Sequence, residues 1–186
     1  MARVTRAHAS ANAAIVNTVE ADMATNLVKA GFSVTGHDAS AAAVDKFVAA
    51  GGIATANASA AAKDADVVLT MLPDDRAVIA VLAAPDGLLA VMRPGALAIE
   101  MSTTSPATKI ALCGQATERG VEFVDSPVGK TLEAAIAGTL TLMVAGVPTA
   151  IERARPMLAA MGDEVHVCGA MGAASSIKLI NNALVA

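Results

Sequence analysis

The chain has 186 residues, enough for one domain with a substantial buried core, so neither disulfides nor metals are needed to hold it together. Its composition is 55% hydrophobic, with 45 alanines but only three Phe and no Trp or Tyr, which is typical of helices packed closely on a sheet. The net charge is −4 with acids and bases interspersed. Because there is neither a basic stripe nor a set of aromatic residues to stack on bases, the composition argues against nucleic acid as a partner.

The cysteines and histidines suggest no metal centre. Cys113 and Cys168 lie far apart and lack metal-ligand spacing, so reduced thiols in a cytoplasmic protein are expected. His8, His37 and His166 are equally scattered, which predicts neither a zinc site nor a Cys/His nucleophile pair. No apolar run approaches the length that spans a bilayer, so no membrane partner is expected.

From Met23 onward, short apolar runs alternate with longer alanine-rich runs. Strands are predicted at Phe32–His37, Gly52–Thr55, Asp66–Leu72, Ala96–Met101, Val121–Ser126, Leu140–Ala145 and Glu164–Cys168. Helices are predicted at Ala21–Ala30, Ala41–Ala50, Ala58–Lys63, Asp75–Leu82, Ser105–Arg119 and Thr149–Met161, with a last apolar helix in Gly172–Ala186. This alternation, and the continuously apolar strand DVVLTML, predict an α/β fold with a doubly wound, mostly parallel sheet.

The segment DSPVGKTLEAAIAG contains VGKT, which resembles the end of the nucleotide phosphate loop G-x-x-x-x-G-K-[ST]. The first glycine of that loop would stand at position 124, which is Val124. Binding of ATP or GTP is therefore a weak interpretation. The sequence leaves open that Lys130 binds some other anion.

Ligands of doubly wound sheets bind at the carboxyl ends of the strands, so the residues just after each predicted strand are the candidates. Asp38 follows the strand where an acid would bond the ribose hydroxyls of a dinucleotide. Ala39 and Ser40 come next, so no cation is ready for a 2′-phosphate, and NAD is favoured over NADP. The structural alternative for Asp38 is an N-cap of the next helix.

The last helix reads SSIKLINNALVA, in which Lys178 and Asn182 are four residues apart and share a face. A lysine there could donate a proton to a carbonyl oxygen as hydride arrives, provided that burial and neighbours lower its pKa toward neutrality. The alternative is a solvated lysine on an amphipathic helix.

Taken together, these segments resemble the β-hydroxyacid dehydrogenase family, which includes 3-hydroxyisobutyrate dehydrogenase and tartronate semialdehyde reductase. The matching segments, in the family's order, are MATNLVKAGFSVTGHD, DVVLTMLPDD, EMSTTSP, FVDSPVGKTLEAAIAGTLTLMVAG and GAASSIKLINN. The resemblance implies a Rossmann-like domain over residues 1–170 and the start of an interdomain helix over 171–186. It also implies catalysis at a junction with an all-helical C-terminal domain, which is absent from this chain.

The resemblance also implies roles for individual residues. Lys178 matches the catalytic lysine, which acts as general acid or base. The implied substrate-binding residues are Ser102, Thr103, Val128, Gly129, Lys130, Thr131, Asn181 and Asn182. The implied cofactor-binding residues are Asn17, Asp38, Met71, Leu72, Pro73 and Thr103. The implied substrate is a small anionic hydroxyacid or semialdehyde.

Most family members have a Ser-Gly-Gly run where this chain has Gly129-Lys130-Thr131. The variant resembles the sulfolactaldehyde reductase branch, in which a Gly-Arg-Thr run meets a sulfonate. By this resemblance Lys130 and Thr131 would face the substrate's anionic end, with the lysine binding as a point charge.

Two departures from the family pattern support a second hypothesis. Ile15, Asn17 and Glu20 occupy the three positions of the family's phosphate-loop glycines, where side chains obstruct the pyrophosphate and a carboxylate repels it. The chain also stops within the interdomain helix, whose apolar character suggests a missing partner, either a second domain or another subunit of a homo-oligomer. The sequence therefore allows either an oxidoreductase or a noncatalytic remnant or interaction module with impaired dinucleotide binding.

Overall fold

A computed structural model describes residues 12–16 and 21–185, and nine strands and nine helices form within those ranges. The strands are β1 (Asn12–Val16), β2 (Ser33–His37), β3 (Ile53–Ala54), β4 (Val67–Thr70), β5 (Leu97–Glu100), β6 (Glu122–Asp125), β7 (Val128–Gly129), β8 (Leu140–Ala145) and β9 (Gly162–Gly169). The helices are α1 (Ala21–Lys29), α2 (Ala41–Ala49), α3 (Ala58–Ala62), α4 (Asp75–Leu82), α5 (Leu88–Val91), α6 (Pro106–Glu118), α7 (Leu132–Ala137), α8 (Pro148–Met161) and α9 (Ala173–Val185).

All nine strands belong to one sheet. Six of them are parallel in the order β3-β2-β1-β4-β5-β6. Strand β8 runs antiparallel to β6 and β7 and parallel to β9. Leu142 pairs with both Val128 and Val165, so β7 and β9 lie on opposite sides of β8, and β7 continues the line of β6. The predicted doubly wound, mostly parallel fold is confirmed.

Alternate residues of the central strands feed two hydrophobic clusters, one on each face of the sheet. In β4, for example, Leu69 enters one cluster and Val68 the other. Helices α1, α2, α7 and α8 cover the first face, and α3, α4, α5 and α6 cover the second. Because β4 and β5 are buried on both faces, they read as continuously apolar runs apart from their last residues.

Some elements were not predicted from the sequence. The alanine-rich segment of β1 has weak strand propensity, yet it lies between β2 and β4, where hydrogen bonds on both edges and burial outweigh that propensity. The short elements β7, α5 and α7 also carried too few residues to show a period. In the part of the chain that the structure describes, no helix combines the length and apolar character needed to cross a membrane.

Candidate functional site

The strand order reverses between β1 and β4, because β2 lies on one side of β1 while the later parallel strands extend from the other. The carboxyl ends of β1, β2, β4, β5 and β6 therefore share one edge of the sheet, where ligands of such folds bind. The described segments after β2, β4, β5 and β6 follow strands that end at this same edge.

Asp38 directly follows β2 and is half-buried at this edge. Its Oδ1 accepts a hydrogen bond from the backbone N–H of Ser40 at 2.6 Å, which fixes the carboxylate beside the turn. The N-cap of α2 is Ser40, whose hydroxyl accepts from the N–H of Ala43. The N-cap alternative for Asp38 is therefore wrong, and its contact is an Asx turn that leads into the cap.

The turns after β4 and β5 are joined by a buried hydrogen bond. The N–H of Leu72 donates to Ser102 Oγ at 2.7 Å, and Ser102 Oγ in turn donates to Glu100 Oε1. The N–H of Ser102 also donates to the same carboxylate oxygen at 3.0 Å. Ser102 thus has a fixed rotamer at the edge, whereas Thr103 and Pro73 beside it are exposed. Glu100 orients the predicted site serine, a role that the sequence did not reveal.

A second contact fixes the same two turns. Asp75, the first residue of α4, accepts from the N–H of Ser105 at 3.0 Å and from the hydroxyl of Thr108. Burial raises the pKa of Asp75, but the hydrogen bonds from Thr108 and Ser105 outweigh this effect and leave the pKa below its ordinary value. Ionised Asp75 therefore ties the start of α4 to the start of α6 at neutral pH.

A charged cluster lies directly beneath Ser102. Lys109 of α6, Glu100 and Asp125 are all completely buried. The ammonium of Lys109 donates to Glu100 Oε2, to the carbonyl of Ser102 at 3.0 Å, and lies 3.2 Å from Asp125 Oδ1. With two carboxylates and one ammonium, the cluster carries a formal charge of −1.

Asp125 connects this cluster to the last helix. Its Oδ2 accepts from the N–H of Ser175 at 3.0 Å and its Oδ1 from the hydroxyl of Ser175 at 2.8 Å. Ser175 is the third residue of α9, so the carboxylate satisfies a free donor at the helix N-terminus, where the helix dipole also favours negative charge. The end of β6 and the start of α9 are therefore held together.

Lys178 lies one turn beyond Ser175 on α9 and is half-buried, and burial lowers the pKa of its ammonium. This is the direction that proton transfer near neutral pH requires. Asn181 and Asn182 lie on the next turn and are exposed. Residues 175, 178 and 182 are spaced to share one face of the helix, so the face that bonds Asp125 also bears the predicted catalytic lysine.

The structure gives Lys130 a different environment from the expected one. Its ammonium donates to the carbonyl of Thr139 at 2.8 Å and to Asp163 at 3.0 Å, and lies 3.5 Å from Glu164. The bond to Asp163 raises the pKa of Lys130. The ammonium is thus paired with acids of β9 rather than presented to a substrate, and its role as an anion clamp stays a prediction.

The rest of the predicted clamp segment also has a defined place. Val128 is half-buried and Gly129 buried within β7, where both pair with β8. Lys130 has a left-handed backbone with φ of 75°, which is uncommon for a residue that carries a Cβ. Thr131 is exposed at the N-cap of α7 and its hydroxyl bonds Glu133, lowering the pKa of that carboxyl.

The predicted phosphate-loop positions are only partly described. Ile15 lies within β1, pairs with Gly36 and Leu69, and packs against the hydrophobic core. The side chain of Ile15 thus packs against the core, and the obstruction of a pyrophosphate stays a prediction. Asn17, predicted to contact the cofactor, and Glu20 lie outside the described residues.

Sequence reasoning missed Glu100, Lys109, Asp125 and Ser175. A signal for them exists, because Glu100 and Asp125 are acids at the last positions of strands that are otherwise buried. Lys109 belongs to the buried face of α6 with Leu112 and Ala116. A lysine on the buried face of a helix is expected to pair with a buried acid, because lysine is almost never fully buried without a partner. The ends of β5 and β6 each supply such an acid.

Two buried hydroxyls lie close in sequence to these groups. Among the described residues, neither Thr104 Oγ1 nor Ser126 Oγ has a hydrogen-bond partner. Thr104 follows the predicted site residues of the β5 turn, and Ser126 follows Asp125. In residues 12–16 and 21–185, no group of three His, Cys, Asp or Glu side chains is arranged to hold a metal ion.

In comparison with known families, residues 21–170 match the NAD binding domain of 6-phosphogluconate dehydrogenase. The match begins after Ile15, Asn17 and Glu20, the positions at which the family pattern has its phosphate-loop glycines. NAD, predicted from the residues around Asp38, is confirmed as the cofactor of this domain family.

Curated relatives and solved structures agree with that match. The chain is 43% identical over 166 residues to the NAD-dependent L-serine dehydrogenase of Pseudomonas aeruginosa, covering 89% of this chain and 56% of that protein. It is 39% identical over 160 residues to the 3-sulfolactaldehyde reductase of Escherichia coli K12, covering 86% of this chain and 54% of the relative. The Mycobacterium tuberculosis 3-hydroxyisobutyrate dehydrogenase with L-serine superposes with a TM-score of 0.88 at 34% identity, covering 95% of this chain and 60% of that one. The chain thus spans about half the length of the curated relatives that it matches.

Proposed function

The chain belongs to the family of the NAD binding domain of 6-phosphogluconate dehydrogenase, and its relatives are of the β-hydroxyacid dehydrogenase type. We therefore propose that it functions as part of an oxidoreductase. The reaction is hydride transfer between NAD and a small anionic 3-hydroxyacid or semialdehyde. Residues 1–170 form the dinucleotide-binding domain in this proposal, and residues 171–186 begin the helix that leads to a substrate-closing domain.

The observation that carries the proposal is the position of Lys178. It is half-buried on a helix whose first turn is bonded to the end of β6, and burial lowers its pKa. A lysine with a lowered pKa at the carboxyl edge of this fold is suited to exchange a proton with a substrate oxygen.

The described residues fit a nicotinamide dinucleotide. Asp38 offers a carboxylate at the end of β2 for the ribose hydroxyls, and the next residues provide no cation for a 2′-phosphate. Met71, Leu72 and Pro73 form the turn after β4, beside the strand-order reversal. When bound there, the cofactor would supply the hydride as NADH in the reducing direction and would accept it as NAD⁺ in the oxidising direction.

The residues of the chain supply the remaining steps in this proposal. Ser102 and Thr103 orient the substrate beside the nicotinamide, with Ser102 held by Glu100. In the reducing direction, protonated Lys178 donates a proton to the carbonyl oxygen as the hydride reaches the carbonyl carbon, which yields the alcohol and neutral lysine. Solvent then returns a proton to Lys178. Asn181 and Asn182 hold the substrate and the lysine.

The anionic end of the substrate is assigned to the Val128–Thr131 segment. Support comes from its place at the carboxyl edge and from the cation within it. Lys130 would have to release Asp163 and Glu164 to bind the substrate, so substrate affinity would include the cost of breaking these exposed contacts. The relatives carry the names of different substrates, and their likeness to this chain does not select one.

Titration with NADH and NADPH, followed by nicotinamide fluorescence, tests the cofactor part of the proposal. We expect saturable binding of NADH at micromolar concentration, roughly the range of working enzymes, and weaker binding of NADPH. No saturation by either nucleotide would overturn the proposal for this chain.

Replacement of the proposed proton donor tests the chemistry. Lys178→Ala should lower turnover by about 10²–10⁴-fold and leave NADH affinity unchanged, because it removes only general acid catalysis. Lys63→Ala is the matched control, since Lys63 is exposed at the end of α3. Undiminished turnover in Lys178→Ala would remove this residue from the mechanism.

The second candidate is a noncatalytic remnant or interaction module with impaired dinucleotide binding. It is favoured by the start of the family match at residue 21, beyond Asn17 and Glu20, which replace glycines of the family pattern. The NADH titration separates the two candidates. If NADH fails to bind to the chain but binds after Asn17→Gly and Glu20→Gly are introduced together, the remnant is the better description.

We also propose that the chain forms a homo-oligomer through α9. Ile177, Ile180, Leu184 and Val185 are all exposed on this helix, with Leu184 80% accessible. Apolar side chains presented together in this way are typical of association surfaces. Light scattering at high concentration should give a mass above that of one chain, and Ile180→Lys with Leu184→Lys should reduce it to one chain. A monomer without any substitution would contradict this proposal.

A further inference from the structure

Three fully buried charges lie in a core that is otherwise mostly apolar. Glu100, Lys109 and Asp125 come from β5, α6 and β6, and none of them is accessible to solvent. Desolvation of such groups offsets most of their mutual attraction, so a buried ion pair adds little net stability compared with a well-packed apolar core. A role in positioning other groups accounts for the cluster better than a role in stability.

We propose that Lys109, with Glu100 and Asp125, forms a positioning relay that couples the cofactor-side turns to the helix that bears Lys178. This inference rests on the proposed function for its catalytic consequence. Its physical content is a mechanical coupling between Ser102 and Ser175, which the relay connects through hydrogen bonds and ion pairs.

The first arm of the relay runs from Lys109 to the cofactor-side turns. Glu100 receives the lysine on one carboxylate oxygen and both donors of Ser102 on the other. Ser102 then accepts the N–H of Leu72. The direction of the Glu100 carboxylate therefore sets the rotamer of Ser102 and the separation of the β4 and β5 turns.

The second arm runs from Lys109 to α9. Asp125 lies 3.2 Å from the lysine ammonium and accepts both the N–H and the hydroxyl of Ser175. Ser175 lies three residues before Lys178 on the same helical face. Movement of Asp125 would therefore shift or rotate the first turn of α9 and displace the lysine one turn later.

Lys109 is the centre of the relay because it contacts both arms at once. Its ammonium also donates to the carbonyl of Glu100 at 3.2 Å and of Ser102 at 3.0 Å, so four acceptors surround it. An ammonium fully enclosed in this way has no freedom to favour one carboxylate without straining its contact with the other. Apolar side chains of equal volume would fill the space without fixing these directions.

A double-mutant cycle on unfolding tests the coupling without any need for activity. Ser102→Ala and Ser175→Ala each remove the hydroxyl hydrogen bonds of one arm and leave its backbone N–H bond in place. Urea denaturation gives the unfolding constant of each variant and of the pair. We expect the double variant to differ from the product of the two single effects by more than about twofold, whereas independent sites agree within that factor. Agreement within about twofold would overturn the relay.

Ser176→Ala provides the matched control. Ser176 is the next residue of α9, and its hydroxyl bonds the carbonyl of Gly172 at 2.9 Å rather than the relay. Combined with Ser102→Ala, it should show no coupling. If Ser176→Ala showed the same coupling to Ser102→Ala as Ser175→Ala does, the coupling would arise from any change in α9 rather than from the bond to Asp125. That result would also overturn the relay.

Removal of the centre should abolish the coupling. Lys109→Met with Glu100→Gln keeps the buried charge at −1 and preserves an acceptor for Ser102, so it is better suited to fold than Lys109→Met alone. In this background we expect Ser102→Ala and Ser175→Ala to be independent. If this background does not fold, hydrogen exchange replaces it as the test: Ser102→Ala in the natural chain should speed amide exchange in the first turns of α9, and unchanged exchange would contradict the relay.

Catalytic readouts separate the relay from the proposed function. With an active protein, Ser175→Ala should lower kcat and leave the KM for NADH unchanged, while Ser176→Ala changes neither. Coupling in the unfolding cycle together with no NADH binding would overturn the proposed function and leave the relay intact. Full activity of the natural chain with no coupling in the unfolding cycle would overturn the relay and leave the proposed function intact.

Discussion

Two regions of this protein place one lysine between two acids, and they differ in burial. Lys109 lies between Glu100 and Asp125 with all three side chains inaccessible to solvent. Lys130 lies between Asp163 and Glu164, whose side chains are about half exposed, while its own is 35% exposed. The first group joins strand ends to two helices, and the second links the β7–α7 turn to the start of β9.

The difference teaches which charges determine the structure of the site. A buried ion pair is strongly destabilising to break, because the partner left behind is an uncompensated charge in a low-dielectric interior. An exposed pair loses little when broken, because water and salt replace the partner. The family resemblance predicted a binding role for Lys130. In the structure, however, it is Lys109 that contacts the residues of the candidate site, through Glu100, Ser102 and Asp125.

The largest expected effect is that of Lys109→Met. It leaves Glu100 and Asp125 buried without a cation, so the free energy of unfolding should fall by about 3–5 kcal/mol. Urea denaturation measures this loss, with Lys130→Met as the matched variant in the exposed group. A loss for Lys109→Met no greater than that for Lys130→Met would break the comparison.

A smaller effect is expected from the backbone at Lys130. Its left-handed φ of 75° costs about 1–2 kcal/mol for a residue with a Cβ and nothing for glycine. Lys130→Gly and Lys130→Ala both remove the ammonium, so the difference between them isolates this backbone cost. Lys130→Gly should be the more stable of the two. The difference in their free energies of unfolding should be smaller than the backbone cost, because glycine also adds entropy to the unfolded chain. A more stable alanine variant would show that the turn is not strained.

The exposed group should also respond to pH and salt. The bond to Lys130 lowers the pKa of Asp163, and bonds to Thr141 and Lys130 lower that of Glu164. Their contribution to stability is therefore present above the ordinary carboxylate pKa and is lost as the pH falls through the lowered values. Asp163 raises the pKa of Lys130, so the lysine's contribution is present below its ordinary pKa and is lost as the pH rises through the raised value. Between about pH 5 and 10 the contribution of the Lys130–Asp163 pair should be constant, whereas Glu164 also lies 3.5 Å from the ring of His166.

Urea denaturation of the natural chain and Lys130→Met from acid pH to about pH 10, at low and high salt, measures that contribution. The two stability curves should converge in acid and at high salt, because protonation and screening both weaken the exposed pairs. Curves that stay equally far apart would show that the stability difference does not come from these ion pairs.

The smallest effects are expected at the two buried hydroxyls beside the site. Thr104→Val and Ser126→Ala remove polar atoms that have no partner among the described residues, so stability should stay the same or rise by up to about 1 kcal/mol. A loss of stability would show that an ordered water or another group satisfies the hydroxyl. A loss of NADH affinity without a loss of stability would assign that hydroxyl to the ligand.

Much of the fold could be predicted because its signals are local. The continuously apolar β4 and the Ser105-Pro106 start of α6 were both evident from a few adjacent residues. Strand β1 was missed because its alanines have weak strand propensity and its stability comes from two neighbouring strands that are distant in sequence.

The candidate site divides in the same way. Asp38, Ser102 and Lys178 could be predicted because each follows a recognisable element or motif. The partners of Ser102 and Ser175 could not, because hydrogen bonds from Glu100 and Asp125 depend on side chains that meet only when β5, β6, α6 and α9 have packed. For Lys130 the motif suggested a substrate anion, but acids more than thirty residues later in the chain lie next to it instead.

The sequence by itself determined the doubly wound α/β fold, the edge of the sheet where ligands bind, and the family to which the chain belongs. These depend on hydrophobic periodicity, on turn residues and on motifs, all of which are properties of short segments. Tertiary structure alone decided which lysine is enclosed and which is exposed, because burial and pairing depend on the distance between segments far apart in the chain. The electrostatic strength of each charge follows from that enclosure, since the same pair of ions interacts strongly in the interior and weakly in water.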